Sequence, residues 1–402
     1  MEEWKEYKYT DLCTLIGGGT PKTSEPSYWG GDIPWLSVKD FGNDEKYVYS
    51  TEKTITEAGL NNSSTKLLRR DDIIISARGT IGAIAMLASE MAFNQSCFGI
   101  RSNDIVEQHY LYYLTKTKIS ELQKNSHGSV FDTITRDTFA KIDCVIPSKK
   151  IQRQIASILS SLDDKIEVNR KINENLEQQA QALFKSWFVD FEPFKNGEFV
   201  ESELGMIPKG WIIKSLSEIA DYVNGLAMQK YRPEDGEIGL PVLKIKELGQ
   251  GGFDTNSELC SPSLIGEKYI INDGDIIFSW SGTLLVKIWC GGKCGLNQHL
   301  FNVVAKDYPN WFAYQWTRHH LDNFIRIAKD KAVTMGHIKR GELDKAKVLI
   351  PESHQMNTIS DIMKPIHLQM ISNELETRRL AELRDTLLPK LMSGEIKVNE
   401  LN

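Results

Sequence analysis

The strongest constraint on the fold is a heptad pattern that occurs twice. Between Ile151 and Trp187, the residues Ile155, Leu159, Leu162, Ile166, Asn169, Asn173, Leu176, Ala180, Leu183 and Trp187 alternate spacings of four and three. That is the pattern of a helix packed along its length against another helix. Adding 204 to each number yields a second series: Ile359, Met363, Ile366, Met370, Asn373, Thr377, Leu380, Arg384, Leu387 and Leu391. Even the polar interruption repeats, since Asn169 maps onto Asn373. A buried Asn in such a stripe lowers stability and selects register and partner. About 37 helical residues at ~1.5 Å each reach roughly 55 Å. A core helix in a bundle would also carry such a stripe. Repetition at one offset, with a large non-helical region before each copy, favours a pair of spacer helices.

Those non-helical regions repeat as well. Trp4, Gly18, Pro34 and Lys39 match Trp211, Gly225, Pro241 and Lys246 at an offset of 207. Asp72-Ile-Ile-Ile-Ser76 matches Asp275-Ile-Ile-Phe-Ser279 at 203, as do Gly79-Thr80 with Gly282-Thr283 and Asn94-Gln95 with Asn297-Gln298. A diverged internal duplication accounts for this. Both regions are rich in β-branched and aromatic residues broken by turn formers, an α+β reading with short strands and a helix near 108–123. The segments are then 1–147, a helix over 148–188, a turn-rich linker over 189–210, 211–351, a helix over 352–394 and a tail at 395–402. Pro365 predicts a kink or restart in the second helix. Antiparallel packing of the helices would produce a pseudo-twofold molecule. Ile166, Met370, Leu176 and Leu380 are expected to be buried between them.

Composition narrows the function only by exclusion. A net charge of −6 over 402 residues supplies no basic footprint of the kind DNA-binding proteins usually carry. Basic and acidic residues nearly balance in each half, so any DNA contact comes from local clusters or is shared with a basic partner. The six cysteines lack metal-site spacing; Cys290 and Cys294 form the one close pair, and free thiols are expected. No apolar run is long enough to span a membrane, and Met1-Glu2-Glu3-Trp4-Lys5 does not resemble a signal peptide. The expected compartment is the cytoplasm.

Catalytic signatures are missing from the sequence. There is no Walker phosphate loop, dinucleotide glycine fingerprint, nucleophile elbow, His-Glu-x-x-His pair or Asn/Asp-Pro-Pro-aromatic motif. His319 and His320 read as surface or turn residues. Binding candidates are present instead. Gly18, Gly19, Thr20 and Lys22 lie in a donor-rich loop that could bring N–H groups to phosphate, although a plain turn explains it equally well. Arg78 and Thr80 occupy one loop, and Ser279, Trp280, Ser281 and Thr283 its repeat. Arg78 could read guanine through a bidentate contact. Asn94, Gln95, Asn297 and Gln298 offer amides for bases or for their own backbone. Lys39, Lys244 and Lys246 are phosphate candidates.

At this point the chain resembles the specificity subunit of type I restriction–modification systems. Its most specific marks are Leu387-Leu-Pro-Lys-Leu-Met-Ser-Gly-Glu-Ile396, Phe184-Lys-Ser-Trp-Phe-Val-Asp-Phe-Glu-Pro193 and Leu204-Gly-Met-Ile-Pro-Lys-Gly-Trp211. Gly17-Gly-Gly-Thr-Pro21, Tyr28-Trp-Gly-Gly-Asp-Ile-Pro-Trp35 and Ser37-Val-Lys-Asp40 resemble one class of its target recognition domains. The resemblance implies two such domains, each reading half of a bipartite DNA target, separated by two long antiparallel coiled-coil helices. Those helices set the spacer and dock two methyltransferase subunits, which restriction subunits join. S-adenosylmethionine, ATP and magnesium are expected on the partners, with no cofactor or metal on this non-catalytic chain. A coiled-coil adaptor with repeated protein-binding ends, or a DNA-modifying enzyme with an unrecognised motif, remain the alternatives.

Overall fold

A computed structural model describes residues 4–42, 45–126, 133–330 and 338–398. The last four residues of the expected tail lie outside it. Contacts divide the chain into two units, 1–167 with 380–402, and 168–379. Each unit thus contains an α+β region together with one stretch of each long helix.

In the first unit a sheet runs in the spatial order Cys13–Gly17, Cys97–Ser102, Ile73–Ser76, Ile84–Leu87, Tyr47–Val48. A second sheet runs Lys53–Ile55, Trp29–Leu36, Met91–Phe93, Leu67–Leu68, and Lys5–Lys8 pairs with Asp143–Ile146. The strand Ile73–Ser76 is buried throughout because both of its faces are covered. Ile73 and Ile75 pack toward Tyr110, Tyr113 and Leu114 of the helix Gln108–Ser126. Ile74 turns the other way, onto Leu36 and Phe93 of the second sheet. A strand covered on both sides reads as a continuous apolar run rather than an alternation, and this is why Ile-Ile-Ile stands here.

The second unit repeats this order. Ala220–Asn224, Leu300–Ala305, Ile276–Ser279 and Leu285–Ile288 form the first sheet. Leu259–Cys260, Leu240–Leu243, Cys294–Leu296 and Ile270–Ile271 form the second, and Ile212–Ser215 pairs with Lys347–Ile350. Ile276 and Phe278 face the helix side, while Ile277 joins Leu243 and Trp289. One parallel pairing falls at the same place in both units, Trp35 with Ala92 and Val242 with Gly295. The edge strand Tyr47–Val48 is an addition in the first unit.

The long helices are Lys149–Phe188 and Ser353–Ser393, of 40 and 41 residues. In the second unit Asn169 Nδ2 donates to Glu376 Oε2 at 2.8 Å, and Asn173 Nδ2 to the Met370 carbonyl at 3.0 Å. One number rises as the other falls, so the helices run antiparallel. In the first unit Ile155 and Leu159 share a cluster with Leu388, Leu391 and Met392, in the same sense. Ile155, Leu159, Ile166, Asn169, Ala180, Ile359, Met363, Asn373, Thr377, Arg384 and Leu391 are buried. Leu162, Asn173, Leu176, Leu183, Trp187, Ile366, Met370, Leu380 and Leu387 are half-buried. The expectation of full burial holds for Ile166 but not for Met370, Leu176 or Leu380. Two helices cover only one face of each other, so positions at the margin of the seam keep some solvent.

Two local expectations change. The second helix runs through Pro365 without restarting. An internal proline costs about 3 kcal/mol, and Met363 and His367 are buried on either side of it. At about 1.5–3 kcal/mol per buried apolar side chain, packing on those turns offsets the lost bond. Where a linker is expected, the chain forms a hairpin, Phe199–Ser202 with Gly205–Pro208. Before it, the rings of Phe191 and Phe194 pack on Trp211 at 5.6 and 5.1 Å.

Candidate functional site

The glycine loop owes its composition to a close crossing of the backbone. A Cβ on Gly18 would fall 2.1 Å from the Asn94 carbonyl oxygen, and one on Gly225 2.2 Å from that of Asn297. Residues matched by repeat logic alone are therefore spatial neighbours in both units. Gly19 donates its N–H to the Phe93 carbonyl at 3.0 Å and accepts from the Trp35 indole at 3.1 Å. With both of its backbone groups occupied, Gly19 does not present a donor to phosphate. The Thr20 hydroxyl bonds the Gln95 amide oxygen, and Lys22 is exposed.

The two asparagines act on their own backbone. Asn94 Oδ1 accepts from the Ser96 N–H at 3.1 Å, and Asn297 Oδ1 from the His299 N–H at 3.2 Å. These are matching Asx turns, the structural use that the sequence left open. Gln298 donates its backbone N–H to the Leu226 carbonyl at 2.8 Å.

The serine opening each of these two matched loops staples it. Ser76 Oγ bonds the Thr80 carbonyl and accepts the Ala83 N–H at 2.9 Å. Ser279 Oγ donates to the Thr283 carbonyl at 2.7 Å, with Ser281 buried beneath. Beyond that shared device the loops diverge. Arg78 and Thr80 are exposed, as is Thr283. Trp280 is held down: its indole N–H donates to Asn224 Oδ1 at 3.0 Å and its ring lies 5.6 Å from Phe301.

In the first unit a cleft of about 390 Å³ brings together Lys39, Arg78 and Asn94 from three separate loops. It adds Lys53 and Trp35, which sequence reasoning missed, along with Asp40 and Glu52. The Asp40 carboxylate is taken up by the Ser37 N–H at 2.7 Å, the Ser37 hydroxyl at 2.8 Å and the Glu52 N–H at 2.7 Å. The cleft lining thus carries three cationic side chains, Lys39, Lys53 and Arg78, against the two carboxylates of Asp40 and Glu52. The lysines of the second unit are engaged instead. Lys244 pairs with Glu258 at 2.5 Å and Lys246 with Asp254 at 2.7 Å. Lys244 holds the Glu258 carboxyl below its usual range.

Other reactive groups are quiet. All six cysteines are free and buried, and burial pushes the thiols of Cys13, Cys97, Cys144 and Cys290 up to about 12. His320 is half-buried rather than a surface residue. Its Nε2 lies 2.8 Å from the Lys347 carbonyl, and burial lowers its pKa to about 4. Among the described residues, no group of three or more His, Cys, Asp or Glu could hold a metal ion, and no helix is long and apolar enough to cross a membrane.

Two copies of one α+β unit, presenting differently furnished loops and connected by paired helices, define a bivalent recognition scaffold. The family model for the type I restriction modification DNA specificity domain matches residues 1–178 and 208–384. The specificity subunit of the type I restriction enzyme MjaIX of Methanocaldococcus jannaschii is 33% identical, covering 100% of this chain and 95% of that protein. The HindI specificity subunit of Haemophilus influenzae is 23% identical over 98% of this chain and 100% of that protein. The crystal structure of the type I restriction–modification S subunit from M. genitalium has the same fold, with a TM-score of 0.52 and 16% identity, over 97% of this chain and 96% of that one. The chain belongs to the family of type I restriction–modification specificity subunits. An adaptor with protein-binding ends is not favoured.

Proposed function

We propose that this chain confers DNA sequence specificity on a type I restriction–modification complex. Each α+β unit reads one half of a bipartite double-stranded target, and the helix pair sets the number of unspecified base pairs between the halves. The helices also dock two methyltransferase subunits, with restriction subunits completing the assembly in the cytoplasm. The chain carries out no covalent step. S-adenosylmethionine, ATP and magnesium belong to the partners, and a target base flipped out of the duplex enters a partner's pocket.

The observation that carries this reading is the divergence of matched loops on one scaffold. In the same stapled loop the exposed Arg78 is matched by the buried Ser281, and Ala77 by the packed Trp280. A duplicated binding module keeps its frame and changes its reading residues when its two targets differ. The acidic balance fits a subunit whose partners help enclose the DNA.

The test is methylome sequencing of cells that express the full chain with its cognate methyltransferase subunit. A split motif carrying N6-methyladenine in both halves is expected. A soluble complex that leaves no motif would count against the reading, as would methylation by the purified chain alone.

A further inference from the structure

Arg78 sits on a loop fixed from several directions. Besides the Ser76 staple, the Ala77 N–H donates to the Ser96 carbonyl at 2.8 Å and the Ala77 carbonyl accepts from Ile134 at 3.0 Å. The side chain itself is exposed and makes no ion pair among the described residues. Lys39 and Lys53 line the same cleft. A rigid base carrying a forked, planar cation, in a cleft that two point cations also line, suits a specific ligand geometry. The fork matches two adjacent acceptors, and lysines beside it suit phosphates. On the major-groove edge of DNA, guanine offers two acceptors, N7 and O6, whereas adenine offers one acceptor and one donor.

We infer that Arg78 reads a guanine in the half-site bound by the first unit, through paired hydrogen bonds to O6 and N7. Lys39 and Lys53 contact phosphates beside that base. The matching position of the second unit, 203 residues on, is the buried Ser281, which has no forked donor, so that unit reads no guanine there. The inference rests on the DNA-recognition reading above and adds the base, the residue and the asymmetry between the halves.

The test uses the full chain with its cognate methyltransferase subunit in a host lacking N6-methyladenine. Methylomes are compared for the wild type, Arg78→Gln, Arg78→Lys and Lys39→Ala, with thermal melting run alongside. Arg78→Gln is expected to melt like the wild type and to relax one G·C position, in one half only, by about tenfold or more. Lys39→Ala should lower methylation at all sites without changing the motif. The inference is overturned if Arg78→Gln leaves the motif intact, lowers methylation uniformly, or relaxes both halves. A wild-type complex with no motif would sink the recognition reading itself, and this inference with it.

Discussion

Arg384 Nη1 lies 2.9 Å from Asp163 Oδ1, and the two side chains are only 3% and 4% exposed. The Tyr113 hydroxyl donates to the other carboxylate oxygen at 2.5 Å. This places a buried charge pair at a seam whose other stripe positions are uncharged. The repeat-equivalent residues of Arg384 and Asp163 are Ala180 and His367, both buried and neither charged.

Breaking that pair from one side should be costly. Arg384→Met leaves Asp163 buried without its partner and is expected to lower stability by about 3–5 kcal/mol. Replacing both, as Arg384→Met with Asp163→Leu, should recover most of the loss. Urea denaturation of the three variants measures this. Equal midpoints for the single variant and the wild type would contradict the buried pair.

The loop glycines differ in what they tolerate. Gly18→Ala and Gly225→Ala each force a Cβ against a backbone carbonyl and should cost about 1–3 kcal/mol or more. Nothing lies within 4 Å of a Cβ on Gly17, so Gly17→Ala should be close to neutral. Thermal melting of the three single variants separates these cases.

His367 produces a pH dependence with a definite sign. Burial lowers its pKa from 6.5 to about 4 in the fold, where its ring lies 5.8 Å from that of Tyr314. Between those values the unfolded chain binds the proton and the folded one does not. The contribution is therefore complete above about pH 6.5 and is lost as pH falls toward 4, by up to about 3 kcal/mol. Relative to the wild type, His367→Leu should lose less stability between pH 7 and pH 4 in paired denaturation curves.

Arg78 and Trp280 stand on the same stapled loop of the two units, at adjacent positions, Trp280 matching Ala77 and Ser281 matching Arg78, and they have opposite roles. Trp280→Ala removes packing on Phe301 and the bond to Asn224, and should cost about 3 kcal/mol. Arg78→Ala should change stability by less than about 0.5 kcal/mol. Similar melting shifts for the two would contradict the contrast drawn between the loops.

The long helices and the duplication were legible because both are periodic. A 3.5-residue stripe and a constant offset are local counting problems, and the buried Asn169 and Asn373 emerged from them directly. The site was less legible because its residues are defined by distant partners. Trp280 reads as a surface candidate until Asn224 is seen 56 positions earlier in the chain, holding its indole. Lys244 reads as a free cation until Glu258 closes on it. The glycines and amides looked like ligand donors because a close backbone crossing and an Asx turn call for the same residue types. Lys53 carried no signal of its own and Trp35 only its place in a family motif; the approach of three loops makes them part of the cleft.

The most direct test of the central claim is an exchange of residues 211–351 for those of a family member with a different target, followed by methylome sequencing of the assembled complex. Two units that each read one half predict a hybrid motif, with one half replaced, the other retained and the spacer unchanged. A change in both halves, or in neither, would contradict the account.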